Sequence, residues 1–352
     1  MPENLPTAAS TSMLQAWILS AEDWVLRRRA ALRRRQGAVP TVIPYTGYGS
    51  TSWVRVLGRV LYGRPDATSA VRTEQESLER VRGWRSFTGV PVIDVDVTVE
   101  INGVQHHVRA DRGGVIDAIV ETDLAPGWNT ILLRVGDGDT ASAPIFVVDP
   151  AARFGVISDV DDTVMVTMLP RPLLAFWNTF VLDEHARIPT PGIAVFLQRF
   201  LVDNPGAPVL YLSTGAWNVA PTLTRFLSRN LYPSGSLLLT DWGPTHDRWF
   251  RSGPRHKHEN LDRLAREFPD IRWLLLGDDG QHDEAIYRSF AADHPGQVAA
   301  VAIRQLSTGE AVLAGGRSKA VQHRLASGAP WVYGPDGASL LQQLADLDLP
   351  LG

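Results

Sequence analysis

Three carboxylates crowd into the stretch Asp159-Val160-Asp161-Asp162-Thr163, directly after the largely apolar run Phe154-Gly155-Val156-Ile157-Ser158. A brief apolar run reads as a buried parallel strand, and ligands of open α/β sheets bind beyond the carboxyl ends of such strands. Like charges a few Å apart repel unless a proton or a cation joins them, so this stretch predicts a Mg²⁺-dependent phosphoryl-transfer site. The spacing offers Asp159 and Asp161 to one pocket and leaves Thr163 to hold the turn. Three other stretches supply matching groups. Leu210-Tyr211-Leu212-Ser213-Thr214-Gly215-Ala216-Trp217 delivers the Ser213 hydroxyl and then backbone N–H groups at Thr214 and Gly215 that suit phosphate oxygens. Arg255-His256-Lys257-His258 puts a cation at the expected start of a helix, and Trp273-Leu274-Leu275-Leu276-Gly277-Asp278-Asp279 is a second apolar strand running into acids, followed by Asp283. Phosphoryl transfer needs an attacking oxygen, a hard cation, donors for the equatorial oxygens and an acid for the leaving group. These stretches meet all four needs.

The elements that must position them follow from pattern. Asp149-Pro150 marks a boundary, after which strands at Gly155–Ser158, Pro208–Ser213, Ser236–Leu239, Trp273–Gly277 and Val298–Arg304 alternate with helical stretches near Ile193–Val202, Val219–Asn230, Lys257–Phe268 and Asp283–Ala292. Such alternation predicts an α/β fold with a doubly wound, mostly parallel sheet. A closing helix follows Gly337, with Leu340, Leu341, Leu344 and Leu347 on one face. Before the boundary, β runs at Trp53–Tyr62, Val92–Ile101, His107–Ala110, Val115–Glu121, Asn129–Val135 and Ala143–Val148, separated by Gly-rich turns, predict a small antiparallel β-sandwich with a short helix at Thr73–Arg82. His106 and His107 point to opposite faces of a strand and make no metal pair. The organisation expected is a helix and linker over 1–52, a sandwich over 53–149 and a phosphatase-like domain over 150–352, with a cap or flap insertion at 165–190.

Asp159-x-Asp161-x-Thr163, Ser213, Lys257 and Gly277-Asp278-x-x-x-x-Asp283 resemble the four motifs of the haloacid-dehalogenase-like phosphohydrolases, in order and in strand context. More narrowly, Ser158 to Val164, Thr190-Pro191-Gly192, Tyr211-Leu212-Ser213 with Trp217, Leu239-Thr240-Asp241-Trp242-Gly243, His256-Lys257 and Gly277 to Glu284 look like the catalytic domain of the actin-patch-protein type of Mg²⁺-dependent phosphatidate phosphatase. The resemblance implies that Asp159 is the nucleophile and Asp161 the general acid/base. It further implies that Asp159, the main-chain carbonyl of Asp161 and Asp278 hold Mg²⁺, that Ser213 and Lys257 hold the phosphoryl oxygens, and that Asp283 and Asp279 orient the metal shell and Lys257. Thr163, Thr214, Gly215 and Asp241 are the expected substrate-binding residues, Asp241 equally suiting a turn or a helix cap. The chain departs from the narrower pattern at Ser213-Thr214-Gly215-Ala216-Trp217, where a Ser-Asn-Ser-Pro-Trp or Ser-Ser-Ser-Pro-Trp run is usual, and at Asp279, where Ser is commoner. Both departures leave the nucleophile intact and the substrate open. Phosphatidate is the leading substrate. The alternatives are a soluble sugar or nucleotide phosphate, or a non-enzymatic membrane-binding protein with a vestigial site.

Composition narrows the partners. In a chain of 352 residues, a net charge of −4 argues neither for a general nucleic-acid binder nor against a local basic patch, no nucleic-acid partner is expected, and the lack of cysteine excludes thiolate catalysis and Cys-ligated zinc. Met1-Pro2-Glu3-Asn4 does not look like a secretory signal, so a cytoplasmic location is expected. From Thr11 to Gln36, Leu14, Trp17, Ile18, Ala21, Trp24, Val25 and Leu32 recur at helical spacing, and six arginines, Arg27 to Arg29 and Arg33 to Arg35, load the last turns. This amphipathic helix either packs its Trp/Leu face on the body or meets an anionic membrane peripherally. Met165–Pro189, rich in Met, Leu, Phe and Trp, is either a water-excluding cap or an apolar lip for acyl chains.

Overall fold

The computed structural model describes residues 24, 27–63, 89–166, 188–240, 246–280, 282–313 and 328–347. Thr73–Arg82, residues 11–23, 25 and 26 of the expected arginine helix, Asp241 and all but the ends of Met165–Pro189 lie outside the described residues. Contacts divide the chain into two compact units: one of Met1–Pro44, Gly58–Ile116 and Leu132–Ser142, the other of Tyr45–Leu57, Asp117–Ile131 and Ala143–Gly352. No described helix is long and apolar enough to cross a membrane.

In the first unit, residues 27–35 form helix α1. Strand β1 (Val39–Pro44) pairs antiparallel with residues 58–63 of β3 (Trp53–Gly63). The hairpin β4 (Asp96–Ile101) and β5 (Val104–Arg109) turns at Asn102-Gly103, both with positive φ, as a tight hairpin turn requires. Strand β4 also pairs antiparallel with residues 132–135 of β7 (Gly127–Val135). Its alternating burial sends Val97, Val99 and Ile101 inward, as period two dictates.

In the second unit, β2 (Gly47–Ser50) pairs antiparallel with the start of β3 and parallel with residues 145–147 of β8 (Ala141–Val147). The arm expected between Gly37 and Ser52 is therefore strand for much of its length, and one pairing among these β segments is parallel where all were expected antiparallel. Local turn chemistry at Gly47 and Gly49 suggested a linker. Close packing explains those glycines instead, because a Cβ at either would collide with the backbone of β3. Strand β6 (Val115–Glu121) completes the β segments.

The rest of the second unit is α/β. Six strands form one parallel sheet in the order β13 (Ser236–Thr240), β12 (Val209–Ala216), β9 (Phe154–Asp159), β14 (Arg272–Asp278), β15 (Val298–Arg304), β16 (Trp331–Gly334). Strand β9 lies inside the sheet, with β12 on one side and β14 on the other, so the carboxyl ends of all three lie side by side along one edge. That edge is where such sheets leave a crevice for ligands. The central strands are apolar throughout, and Val156, Ile157, Leu274, Leu275, Leu276, Val301 and Ile303 are fully buried. Each such side chain contributes about 1.5–3 kcal/mol on burial, which fixes the strand ends that carry the acids. Helices α2 (Ile193–Asp203), α3 (Ala220–Arg229), α4 (His246–Glu267), α5 (Asp283–Asp293), α6 (Thr308–Leu313) and α7 (Gly337–Ala345) connect them.

Four elements differ from the sequence expectation. Strand β16 and helix α6 were not anticipated, because four and six residues leave little periodicity to read. Helix α7 is capped by Asp336, whose carboxylate accepts the Ser339 N–H at 2.8 Å. It ends at Ala345, so Leu347 falls beyond it and is exposed while Leu340 and Leu344 are buried. Helix α4 starts well before Lys257 and contains Pro254, so Lys257 is not at a helix start. Gly253-Pro254 reads as punctuation in sequence, yet a Cβ at Gly253 would stand 3.2 Å from the Thr214 methyl, so the glycine serves a close pass of the helix over β12.

Candidate active site

The carboxyl ends of β9, β12 and β14, together with α4 and α5, gather most of the sequence-predicted groups. Asp159 ends β9 and is 2 % exposed; Asp278 ends β14 and is 4 % exposed. Asp283 opens α5, four residues after the strand's Gly-rich turn begins, and is also buried. Each of these three offers one oxygen, and the three oxygens lie within 4.8 Å of one another. Lys257, from the middle of α4, sits among them with its Nζ 2.5 Å from Asp159 Oδ1 and 2.5 Å from Asp283 Oδ1.

The electrostatics are strained. With Asp161 close enough to act on Asp159, four carboxylates face a single ammonium. Burial holds the Asp159 carboxyl well above the usual range; Lys257 pulls it back, and Asp283, Asp161 and Asp278 push it further up. Burial raises Asp278 in the same way, with Asp283 adding to the effect and Lys257 opposing it. For Lys257 burial favours the neutral amine, but Asp159 and Asp283 outweigh it and hold the ammonium more firmly than in water. Beside it, burial draws His256 down to about 4, so the imidazole is neutral at pH 7.

The hydroxyls have specific partners. Ser213 Oγ donates to Asp161 Oδ2 at 2.9 Å and accepts the Gly215 N–H at 3.0 Å. In this arrangement Ser213 fixes a carboxylate, a task different from the expected grip on phosphate. Thr163 Oγ1 lies 3.4 Å from Asp159 Oδ2, consistent with a turn-holding role. The carbonyls of Thr214 and Gly215 both accept from the Thr240 hydroxyl, at 3.0 and 3.1 Å, which pins the carboxyl end of β12. Asp279 Oδ1 accepts the Leu306 N–H at 2.9 Å, just after β15. The Asp278 N–H points toward Asp283 Oδ2 at 3.4 Å, and Asp278 Oδ1 accepts from Gly280 at 2.6 Å.

Several supporting residues escaped the sequence reading. Arg304 ends the otherwise apolar β15 and donates to the Asp162 carbonyl at 2.7 Å and to Glu310 at 2.6 Å. Asp162 has a φ of 59°, an uncommon left-handed conformation for a residue other than glycine, and the Arg304 contact braces it. Tyr232 donates to the Val164 carbonyl at 2.6 Å from the other side of the same turn. Tyr287 donates to the Leu276 carbonyl at 2.9 Å, and its ring packs so near Gly277 that a Cβ there would meet it and Asp283 at 2.7 Å. The one signal available was an arginine closing a strand of Val, Ala and Ile. The tyrosines sit inside ordinary apolar patterns.

Beyond the turn, Met165–Val166 (β10) and Ile188–Pro189 (β11) pair antiparallel and bracket the stretch between them. The acids, lysine and loops described so far all fall in one continuous segment. Residues 154–305 match the family model described as phosphatidate phosphatase APP1, catalytic domain. The resemblance drawn from the motifs is borne out. Two curated relatives match part of the chain. The phosphatidate phosphatase APP1 of Saccharomyces cerevisiae is 27% identical over 246 residues, covering 66% of this chain and 41% of that protein. An uncharacterized protein of Schizosaccharomyces pombe, C29B5.04c, is 28% identical over 160 residues, covering 43% of this chain and 25% of its own length. The chain thus spans less than half the length of the curated relatives it matches. Among solved structures, a carbohydrate acetylesterase from Xanthomonas citri is matched at a TM-score of 0.28 and 11% identity over 79% of this chain and 73% of that one, too slight a likeness to inform fold or function. The APP1-type segment begins at the first residue of β9 and ends one residue past β15, so β16 and α7 extend the sheet beyond it.

Proposed function

We propose that the α/β domain is a Mg²⁺-dependent phosphomonoester hydrolase of the haloacid-dehalogenase type, with a doubly wound sheet, and that its substrate is phosphatidate. The observation that carries this reading is the buried meeting of Asp159, Asp278, Asp283 and Lys257 at the carboxyl edge of the sheet. A buried excess of carboxylate is costly unless a cation compensates it, and an all-oxygen acidic donor set suits a hard ion such as Mg²⁺. The donor chemistry fits that ion, which Asp159, Asp278 and the Asp161 carbonyl would hold, with Asp283 near enough to join them or to orient the set. When bound, it supplies charge compensation for the nucleophile and the phosphoryl oxygens.

The chain's own groups divide the remaining work. An Asp159 oxygen attacks phosphorus and forms an aspartyl-phosphate as the bond from phosphorus to the substrate alcohol breaks. Asp161, held by Ser213, gives its proton to the departing alcohol oxygen. It then takes a proton from the water that attacks phosphorus and releases inorganic phosphate. Lys257, kept cationic by Asp159 and Asp283, balances charge on the phosphoryl group, with the Thr214 N–H as the backbone donor left for its oxygens once the Gly215 N–H is given to Ser213. The choice of a lipid phosphate rests on the name carried by the matched family and by the yeast relative.

Phosphate release from phosphatidate vesicles and from a soluble aryl phosphate, each with Mg²⁺ or with chelator, tests the reading. The expected result is Mg²⁺-dependent release, faster from phosphatidate, and a loss of about 10³-fold or more in Asp159→Asn, which keeps the shape but not the nucleophile. No release from either substrate would sink the enzyme reading. Preference for the aryl phosphate would sink the lipid assignment alone.

A further inference from the structure

Helix α1 presents an unusual surface. Trp24 is 59 % exposed and Leu32 is 56 % exposed, while Ala30 is buried. Residues 24, 28, 32 and 35 follow one another at helical intervals of four, four and three, so Trp24, Arg28, Leu32 and Arg35 share one stripe. All four are exposed, and the Arg28 guanidinium lies 5.1 Å above the Trp24 ring. Trp24 and Leu32, the two described residues of the apolar face, are thus exposed and interleaved with cations. Six of the nine residues from 27 to 35 are arginine, and no acid occurs between Asp23 and Asp66, in a chain whose net charge is −4.

We propose that this stripe docks on an anionic phospholipid bilayer, lying in the plane of the headgroups. The arginines answer lipid phosphates and carboxylates, and Trp24 and Leu32 enter the boundary below them, where an indole is favoured for its apolar body and polar edge. The alternation selects this partner over a nucleic acid. A polyanion rewards Arg28 and Arg35 but offers nothing to an exposed leucine, whereas an interface rewards both kinds of side chain at once. Attraction of about 1 kcal/mol per basic residue corresponds to about fivefold in partitioning, so a helix carrying six gains strong discrimination for charged membranes. This surface is independent of the phosphatase site and would bring the chain to a bilayer whatever its substrate.

The test uses the full chain and two vesicle types, pure phosphatidylcholine and three parts phosphatidylcholine to one part phosphatidylserine, without phosphatidate. Wild type is expected to sediment with the anionic vesicles, less so as salt rises, and to ignore the neutral ones. Arg28→Gln with Arg35→Gln should weaken anionic binding about 25-fold, and Trp24→Ser with Leu32→Ser should weaken it in a manner that added salt does not mask. Both pairs should melt at the wild-type temperature, which verifies folding without recourse to hydrolysis and separates this outcome from the fate of the enzyme reading. Equal sedimentation of the variants and wild type would overturn the proposal. So would binding to heparin with none to anionic vesicles.

Discussion

Helix α4 carries a charged cluster toward each end of its second half, and the two are opposites. Around Lys257, four acids share one cation in a buried setting. Ten residues on, Glu267 accepts from Tyr48 at 2.7 Å and from Arg55 at 3.0 Å, Arg55 also grips Asp117 at 2.9 Å, and Arg263 lies 3.7 Å from Asp117 and 4.0 Å from Glu267. Two arginines meet two carboxylates there, and the charges cancel. Both clusters are partly or wholly withdrawn from water, so both incur desolvation. Only one resolves it with the residues the chain provides. The difference separates a cluster whose charges the chain balances from one in which carboxylates outnumber the cation. A stripe of side chains joins them along the helix: Arg263 donates to Asn260, and Asn260 donates to the His256 carbonyl at 2.8 Å, beside Lys257.

Replacing a cation in each cluster gives the sharpest test of that distinction. Under the proposed chemistry, Lys257→Met removes the charge opposite the phosphoryl group and should lower kcat/KM about 10³-fold, equivalent to about 4 kcal/mol. Because it also relieves the desolvation of a buried ammonium, its melting temperature should fall little when Mg²⁺ is present. Arg55→Met should do the reverse. It leaves Glu267 and Asp117 without their main partner and should cost about 3 kcal/mol in denaturant unfolding, with Asp117 at 35 % exposure keeping the figure from rising further. Below the melting temperature kcat should stay near the wild-type value. If Arg55→Met abolished turnover in a fully folded protein, the two clusters would not be separable in function.

The third and smallest effect concerns pH and the metal. Asp159 and Asp278 have folded pKa values raised above the unfolded value of about 3.9. Across the window that opens near pH 4 and runs upward, the folded chain therefore binds more protons than the unfolded one, and stability is lost as pH rises. Lys257 is raised too, so its contribution persists until pH exceeds its unfolded value of about 10.4 and is not what changes below neutrality. In chelator, the melting temperature should fall from about pH 4 toward pH 7, and Mg²⁺ should flatten the profile, adding about 2.7 kcal/mol at a hundredfold excess over its Kd. Asp278→Asn should flatten it without Mg²⁺ and lose most of the metal response. A melting profile indifferent to Mg²⁺ in wild type would remove the metal from the comparison.

Much of the site was legible from local pattern. Asp159 and Asp278 stand at the ends of apolar runs whose burial alone predicts parallel strands, and both do end central strands of the sheet. Lys257 was legible as a residue but not as a position, because Gly253-Pro254 imitates a helix start while serving a close pass over Thr214. Arg304, Tyr232 and Tyr287 could not be singled out, since each is one polar group in an apolar element and only its partner reveals its use.

By itself, the sequence determined which chemical groups this protein has and the order in which strands deliver them. Hydrophobic period and turn residues act over a few positions and need no fold to be read. Tertiary structure alone decided that Asp283 grips Lys257 across 26 residues, that Ser213 holds Asp161 across 52, and that Trp24 and Leu32 face outward. Those outcomes depend on distances between elements set by packing of the whole core, and no short-range pattern encodes them.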